Sequence, residues 1–279
     1  FNYKKLFLFT LPSVVMMVFT SVYCVVDGFF VSNFAGKTAF AAINLIMPFI
    51  MILGGIGFMI GTGGSALVSY TLGTGDKEKA NRYFSMLVYF TILAGILLTV
   101  LGIIFVRPIA ELFGADESMM DTCVLYGRIV IAFNAAFMLQ NIFQSFFVVA
   151  EKPRLGLIVT IAAGVTNMVL DALFVGVFKW GTVGAALATG ISQSIGGLLP
   201  LLYFALPNNS PLQLTRTGFE LAPLLKASSN GCSELMSNVA SSLIGIVYNY
   251  QLMRLGGENA VATYGVLMYI QFVFIAIFI

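Results

Sequence analysis

Five stretches without a charged residue constrain this chain more than any other feature. Each is longer than the roughly 20 residues that an α-helix needs to cross a bilayer; they are residues 38–75, 83–106, 129–150, 180–215 and 259–279. Only 9% of the chain is charged and 59% is hydrophobic, whereas a soluble domain carries about 25% charged residues. The sequence therefore predicts an all-α polytopic membrane protein, because a transmembrane barrel would show short alternating segments instead.

Polar breaks divide the apolar sequence into eight predicted helices, at residues 6–31, 41–72, 84–106, 125–150, 155–178, 183–205, 222–250 and 260–279. The longest break, "LPNNSPLQLTRTGFELAP", follows the sixth of them, and its composition is typical of a linker. We therefore predict a six-helix N-terminal transmembrane lobe at residues 1–206 and a cytoplasmic linker at 207–221. Residues 222–279 would then form the first two helices of a second, incomplete lobe.

A weak internal repeat supports this division into lobes. A shift of 221 residues places "AGKTAFAAINLIMPF" over "GGENAVATYGVLMYI", with four identities in fifteen positions. Because the shift spans six predicted helices, an even number, the two copies share one orientation and form a parallel repeat. The chain begins with Phe1 and ends within its eighth predicted helix, so we expect it to be a truncated piece of a longer transporter.

Charge and cysteine content exclude several alternatives. A net charge of +2 gives no reason to expect a nucleic-acid partner. With the N-terminus in the cytoplasm, the inner segments hold nine Lys and Arg residues and the outer segments five, which favours that orientation. The cysteines, Cys24, Cys123 and Cys232, have no metal-ligand spacing and are expected to be free packing residues.

A single acid, Asp27, interrupts the first predicted helix, and other polar residues fall at the same depth. Asp27 lies ten residues before Lys37, Asp171 lies eight residues before Lys179, and Thr189 lies ten residues after Lys179. At a rise of 1.5 Å per residue, all three are expected about 12–15 Å below the outer surface. An isolated carboxylate in hydrocarbon is costly, so an intramembrane acid points to function.

Asn167 adds an amide to this set, because it precedes Asp171 by four residues and shares its helix face. Oxygen ligands of this kind suit a hard cation such as Na⁺, and two buried carboxyl groups could bind a proton instead. We predict a cation site for Na⁺ or H⁺, with Na⁺ ligated by Asp27, Asn167, Asp171 and Thr189. Hydrogen bonding between helices is an equal alternative for the amide and the hydroxyl.

A second group of polar residues is predicted to bind substrate. Glu234 is an intramembrane acid in the inner half of the seventh predicted helix, amid small polar neighbours. Gln140, Asn141 and Gln144 form a polar patch in the fourth. We predict substrate contacts for Glu234, Gln140 and Gln144. For the patch in the fourth helix, plain hydrogen bonding between helices is the competing interpretation.

Six segments along the chain form a specific ordered set: "VVDGFFVSNFAG", "GTGGSALVSYTLGTGDKEKA", "VVAEKPRLGL", "TNMVLDALFV", "GAALATGISQ" and "SSNGCSELMSN". Through these segments the chain resembles the multidrug and toxic compound extrusion (MATE) transporters, especially their bacterial multidrug-efflux branch. It implies twelve helices in two lobes, and export of organic, often cationic, compounds driven by Na⁺ or H⁺ entry. It also implies cation-site roles for Asp27, Asn167, Asp171 and Thr189, and it relates Glu234 to an acid of the family's seventh helix.

Two positions depart from the pattern that the resemblance implies. Gly28 follows the first acid where the family often has Thr, and Ala172 follows Asp171 where the family often has Pro. A proline there would bend the helix, so its absence bears on how the fifth predicted helix moves during transport.

The leading functional prediction is a secondary active exporter that works by alternating access in the bacterial inner (plasma) membrane. Its partners would be small organic cations and the lipid bilayer, and we expect a monomer without an organic cofactor. A flippase for lipid-linked oligosaccharides is the alternative within the superfamily, although intramembrane Arg and Lys are absent. A membrane enzyme is disfavoured because the chain has no histidine and no paired-aspartate motif. A channel is disfavoured because the acids Asp27 and Asp171 fall within one lobe.

Overall fold

The computed structural model describes the backbone of residues 3–278 and the side chains of residues 10–271 and Phe274. Within that range the chain is helical and contains no strand, as the sequence predicts. The helices are α1 Tyr3–Phe30, α2 Lys37–Gly73, α3 Lys77–Leu112, α4 Glu117–Ala132, α5 Asn134–Val149, α6 Pro153–Asp171, α7 Gly181–Ala205 and α8 Leu221–Phe278. Short π-helical turns, Val31–Ala35 and Ala172–Val177, extend α1 and α6.

Five of the described helical segments are long and apolar enough to cross a membrane: Thr10–Ala35, Lys37–Gly73, Lys77–Leu112, Pro153–Val177 and Gly181–Ala205. A sixth is present if α4 and α5, which meet at an angle of 53°, form one broken span. Exposed apolar side chains follow one face of α3, among them Leu93, Leu97 and Ile104. The predicted fold class, an all-α polytopic membrane protein with a six-helix lobe and two helices of a second, is confirmed.

Two predicted divisions between helices are wrong, and the predicted helix at 84–106 extends further at both ends, as α3 Lys77–Leu112. The predicted helix at 125–150 is two helices, because Phe133 leaves helical geometry (φ −97°, ψ 6°) and its ring packs against Gly190 of α7. The predicted helices at 222–250 and 260–279 are joined in α8, with a break at Gly257 (φ 60°, ψ −154°). That backbone conformation is accessible essentially to glycine alone, so one residue replaces the expected loop.

Helix α2 packs against α8 along its length. At their closest approach, a side chain on Gly63 would overlap the Ala227 carbonyl, and one on Gly231 would overlap the Met59 carbonyl. Two glycines thus let the helix backbones touch. The buried apolar side chains form two cores, one around each half of α2. Helix α8 contributes Val261 to the core around the N-terminal half, and Leu224 and Ala227 to the core around the C-terminal half.

The segment between α7 and α8 is held against α3 by buried polar side chains. Asn81 accepts a hydrogen bond from the Gln213 backbone at 3.0 Å, and Ser85 accepts one from the Thr215 backbone at 2.8 Å. Leu212 is fully buried beside them. The division into residues 1–206, 207–221 and 222–279 stays a prediction.

Candidate ion-binding site

The candidate site lies where α1 and α6 end their regular helical turns. Asp27 is in the last turn of α1, and Asp171 is the last residue of α6. The two helices pack together, with the aromatic rings of Phe19 and Tyr23 seated on Gly164. This close approach brings the acids of separate helices to one place.

The acidic side chains of Asp27 and Asp171 are neighbours across the contact between α1 and α6, and they interact electrostatically. Two carboxylates supply only acceptors, so a bond between them requires a proton on one of them. Asp171 is completely buried, and neither of its oxygens receives a hydrogen bond from the described residues. The pair therefore needs a cation or a proton to compensate its charge.

Unpartnered oxygens are the shared property of the four residues predicted to bind the ion. Each has a buried side-chain oxygen without a hydrogen-bond partner among the described residues: Asp27 Oδ1, Asn167 Oδ1, Thr189 Oγ1 and both oxygens of Asp171. A buried oxygen left in this state costs about 1–3 kcal/mol. The donor set of two carboxylates, an amide and a hydroxyl fits a hard cation or a proton.

The structure brings these residues together to different degrees. Asp27 and Asp171 interact electrostatically across the contact between α1 and α6. Asn167, only 2% exposed, lies one turn from Asp171 on α6, and Thr189 lies on the neighbouring α7. No group of three or more His, Cys, Asp or Glu side chains that could hold a metal occurs in the described part of the chain. An ion here would rely on neutral oxygens as well as the two acids.

Two tyrosines belong to this region, and neither is predicted from the sequence. Tyr126 of α4 is fully buried, and Tyr269 comes from α8; both interact electrostatically with Asp27 and Asp171. In an apolar span, the sequence does not distinguish a phenol near an ion site from a hydrophobic packing residue. The distance of each tyrosine from a helix end could have indicated its depth in the membrane. Only the packing of α4 and α8 shows that both tyrosines lie near the acids.

The residues predicted to bind substrate lie in two places. The Gln140 side chain lies near the Tyr23 hydroxyl and packs on Gly196. Its amide oxygen is buried without a hydrogen-bond partner among the described residues. Gln140 and Gln144 line a small cavity between α5, α6 and α7. Glu234 is half-buried on α8, and no hydrogen bond to its carboxylate is formed by the described residues. No described contact joins Glu234 to the two glutamines.

A larger cavity, of about 430 Å³, lies at the C-terminal end of α2, away from the carboxyl pair. Its lining includes Lys79 and Lys226, each placed over a tyrosine ring, together with the acids Asp76 and Glu220. Both signs of charge line this cavity, so its charge gives no preference for a cation.

Comparison with known proteins gives consistent results. The family model described as MatE matches residues 12–173, more than half of the chain. The multidrug export protein MepA of Staphylococcus saprophyticus subsp. saprophyticus is 25% identical over 267 residues, 95% of this chain. MepA of Staphylococcus aureus (strain MRSA252) is 25% identical over 269 residues. A solved structure of the MATE multidrug transporter DinF-BH superposes on 99% of this chain with a TM-score of 0.87 and 25% identity.

These similarities cover only part of each relative. The chain spans 58% of the length of both MepA proteins and 62% of the DinF-BH chain.

Proposed function

Because the chain belongs to the MatE family, we propose that it works as part of a secondary active exporter of small organic compounds. The observation that carries the proposal is the neighbouring pair of acids, Asp27 and Asp171. Three of their carboxyl oxygens, Asp27 Oδ1 and both oxygens of Asp171, are buried without a partner among the described residues. The name of the MepA relatives, multidrug export protein, supports export of several compounds. DinF-BH is likewise described as a multidrug transporter, which supports the same class of substrate.

The coupling ion, Na⁺ or H⁺, would bind between the two carboxyl groups with help from Asn167 and Thr189. Binding would draw α1, α6 and α7 together, because the ion replaces repulsion between carboxylates with attraction to a shared charge. Release would let these helices separate. An ion shifts a conformational equilibrium only by its differential affinity for the two states, and a site shared between helices that move apart supplies that difference.

The exported compounds would be organic cations. Glu234 offers a half-buried carboxylate without a described hydrogen-bond partner on α8, and a negative charge of this kind would attract a cationic ligand. Gln140 and Gln144 offer neutral polar contacts in the small cavity between α5, α6 and α7. Export would proceed by alternating access, without an enzymatic step or an organic cofactor.

The proposed setting is the bacterial inner membrane, with the N-terminus in the cytoplasm and the protein working as a monomer. The count of Lys and Arg residues supports this orientation. Labelling of single cysteines introduced next to Lys4 and Lys37 by an impermeant reagent tests it, since the two positions should react from opposite sides.

Reconstitution in proteoliposomes tests the proposed function directly. Efflux of a fluorescent organic cation is followed under an imposed Na⁺ gradient and, separately, under an imposed proton gradient. One of the two gradients should accelerate efflux, and Asp27→Asn should remove that acceleration. Efflux that neither gradient affects would contradict the proposal, and so would an unaltered response in the variant.

A further inference from the structure

Tyr269 of α8 is seated on Gly28 of α1, directly beside the acid pair. A Cβ atom on Gly28 would lie 2.7 Å from Tyr269 Cζ and 3.1 Å from its hydroxyl oxygen. Atoms at 2.7 Å overlap, so the ring occupies space that only a glycine leaves free. Gly28 is buried and follows Asp27 in the chain. The phenol from α8 therefore rests on the same turn of α1 that carries one of the two acids.

The position of this ring is fixed from several sides. Tyr269 stacks on Phe40, with ring centroids 6.0 Å apart and an interplanar angle of 27°. Phe40 is itself 4% exposed and belongs to the apolar core around the N-terminal half of α2. Tyr269 also interacts electrostatically with Asp27 and Asp171. Because the partly buried ring packs on both Phe40 and Gly28, a movement of α1 toward the ring presses on α8.

We propose that Tyr269 is a positioning residue that transmits movement of α1 at the ion site to α8, through the contact of its ring with Gly28. The inference rests on the proposed function, in which ion binding draws α1 and α6 together. Asp27 is one residue from the contact, so a shift of its backbone displaces the surface on which the ring rests. Through the contact between Gly28 and Tyr269, occupancy of the ion site then changes the position of α8.

The chain offers a matched control for this residue. Like Tyr269, Tyr264 lies in the part of α8 that follows the break at Gly257. Its ring stacks on Tyr248 of the same helix, with ring centroids 5.4 Å apart. Tyr264 thus has the same side chain and a similar stacking contact, but its described ring partner lies within α8. Replacing it removes an equal volume without removing a described ring contact to α1.

The test compares two transport modes in proteoliposomes containing the protein. Gradient-driven efflux of ethidium requires the ion site to be coupled to helix movement, whereas ethidium exchange at equal ion concentrations requires only substrate binding and interconversion. Tyr269→Ala should reduce gradient-driven efflux by about tenfold, within the usual range of coupling between sites, and leave exchange within about twofold. Tyr264→Ala should leave both modes unchanged. Tyr269→Phe should retain coupling, because the ring carbons come closer to Gly28 than the hydroxyl oxygen does.

A double substitution separates coupling from loss of stability. Gly28→Ala alone should impair gradient-driven efflux because its methyl group overlaps the Tyr269 ring. Gly28→Ala combined with Tyr269→Ala should perform no worse than Tyr269→Ala alone, since the overlap is gone. Additive losses, or normal gradient-driven efflux by Tyr269→Ala, would overturn the inference while leaving the proposed exporter intact. Wild-type protein that responds to neither ion gradient would instead overturn the proposed function, and the inference with it.

Discussion

Glu258 accepts a hydrogen bond from the Thr38 hydroxyl at 2.8 Å and a second from the Ser118 hydroxyl at 2.8 Å. Thr38 lies in the first turn of α2 and Ser118 in the first turn of α4, whereas Glu258 follows the break of α8 at Gly257. One carboxylate therefore joins three helices at one end of the molecule. Under the shift of 221 residues, Glu258 aligns with Lys37, so the two turns related by the internal repeat meet at this point.

Removing this carboxylate should loosen the contact between α8 and the preceding helices. We expect Glu258→Ala to lower the free energy of unfolding by about 1.5–3 kcal/mol, as for hydrogen bonds to a charged group. Glu117→Ala, an exposed acid in the first turn of α4, is the control and should change stability by no more than about 0.5 kcal/mol. Thermal unfolding in detergent measures both. Equal effects of the two substitutions would show that the hydrogen bonds to Glu258 contribute nothing specific.

The spans of this fold follow from the sequence because bilayer thickness sets their length. The bend between α4 and α5 does not, since Phe133 is no helix breaker and the contact of its ring with Gly190 joins residues far apart in the sequence. The sequence predicts a break of several residues within α8, and the break occupies one residue because Gly257 alone accommodates the required dihedral angles. Local sequence thus predicts which segments are helical better than how neighbouring helices bend.

The two acids can be predicted to lie at one depth, because a fixed rise per residue converts sequence distance into position. The contact between Gly28 and Tyr269 cannot, since it joins residues from opposite ends of the chain. It gives a structural reason for Gly28, where the family resemblance leads one to expect threonine. A threonine side chain would overlap the tyrosine ring. No contact among the described residues explains Ala172 in place of proline.

Glu234 should distinguish between exported compounds by their charge. Replacing it with glutamine keeps the shape of the side chain and removes its negative charge, so Glu234→Gln should weaken export of a cationic dye more than export of a neutral one. Efflux of both compounds from the same proteoliposomes provides the measurement. An equal loss for both would indicate a structural or coupling role for Glu234 and contradict a role in binding substrate.

The contact between α2 and α8 at Gly63 should tolerate no larger residue. An alanine methyl group there would overlap the Ala227 carbonyl and lie 2.5 Å from the Gly231 nitrogen, so Gly63→Ala should destabilise the protein by about 1–3 kcal/mol, the usual cost of overpacking. Gly73→Ala is the matched control, because Gly73 belongs to the same helix and a Cβ atom there meets nothing within 4 Å. Thermal unfolding should separate the two variants, and similar midpoints would contradict this account of the helix contact.

The acid pair carries the sharpest prediction. Asp27→Asn and Asp171→Asn each remove one negative charge and supply an amide that can donate a hydrogen bond to the remaining carboxylate. Both variants should therefore fold at least as stably as the wild type, bind ethidium with unchanged affinity, and lose gradient-driven efflux to the level of empty vesicles. Asp121→Asn, at an exposed position of α4, should behave as wild type.

A shared ion site requires both acids, because a single carboxylate with an amide beside it has lost half of the charge that attracts the ion. The two single variants should therefore fail to the same extent, and combining them should cause no further loss of gradient-driven efflux. Normal efflux by either variant, or a large loss of stability in both, would show that the two carboxyl groups serve packing and not the coupling ion.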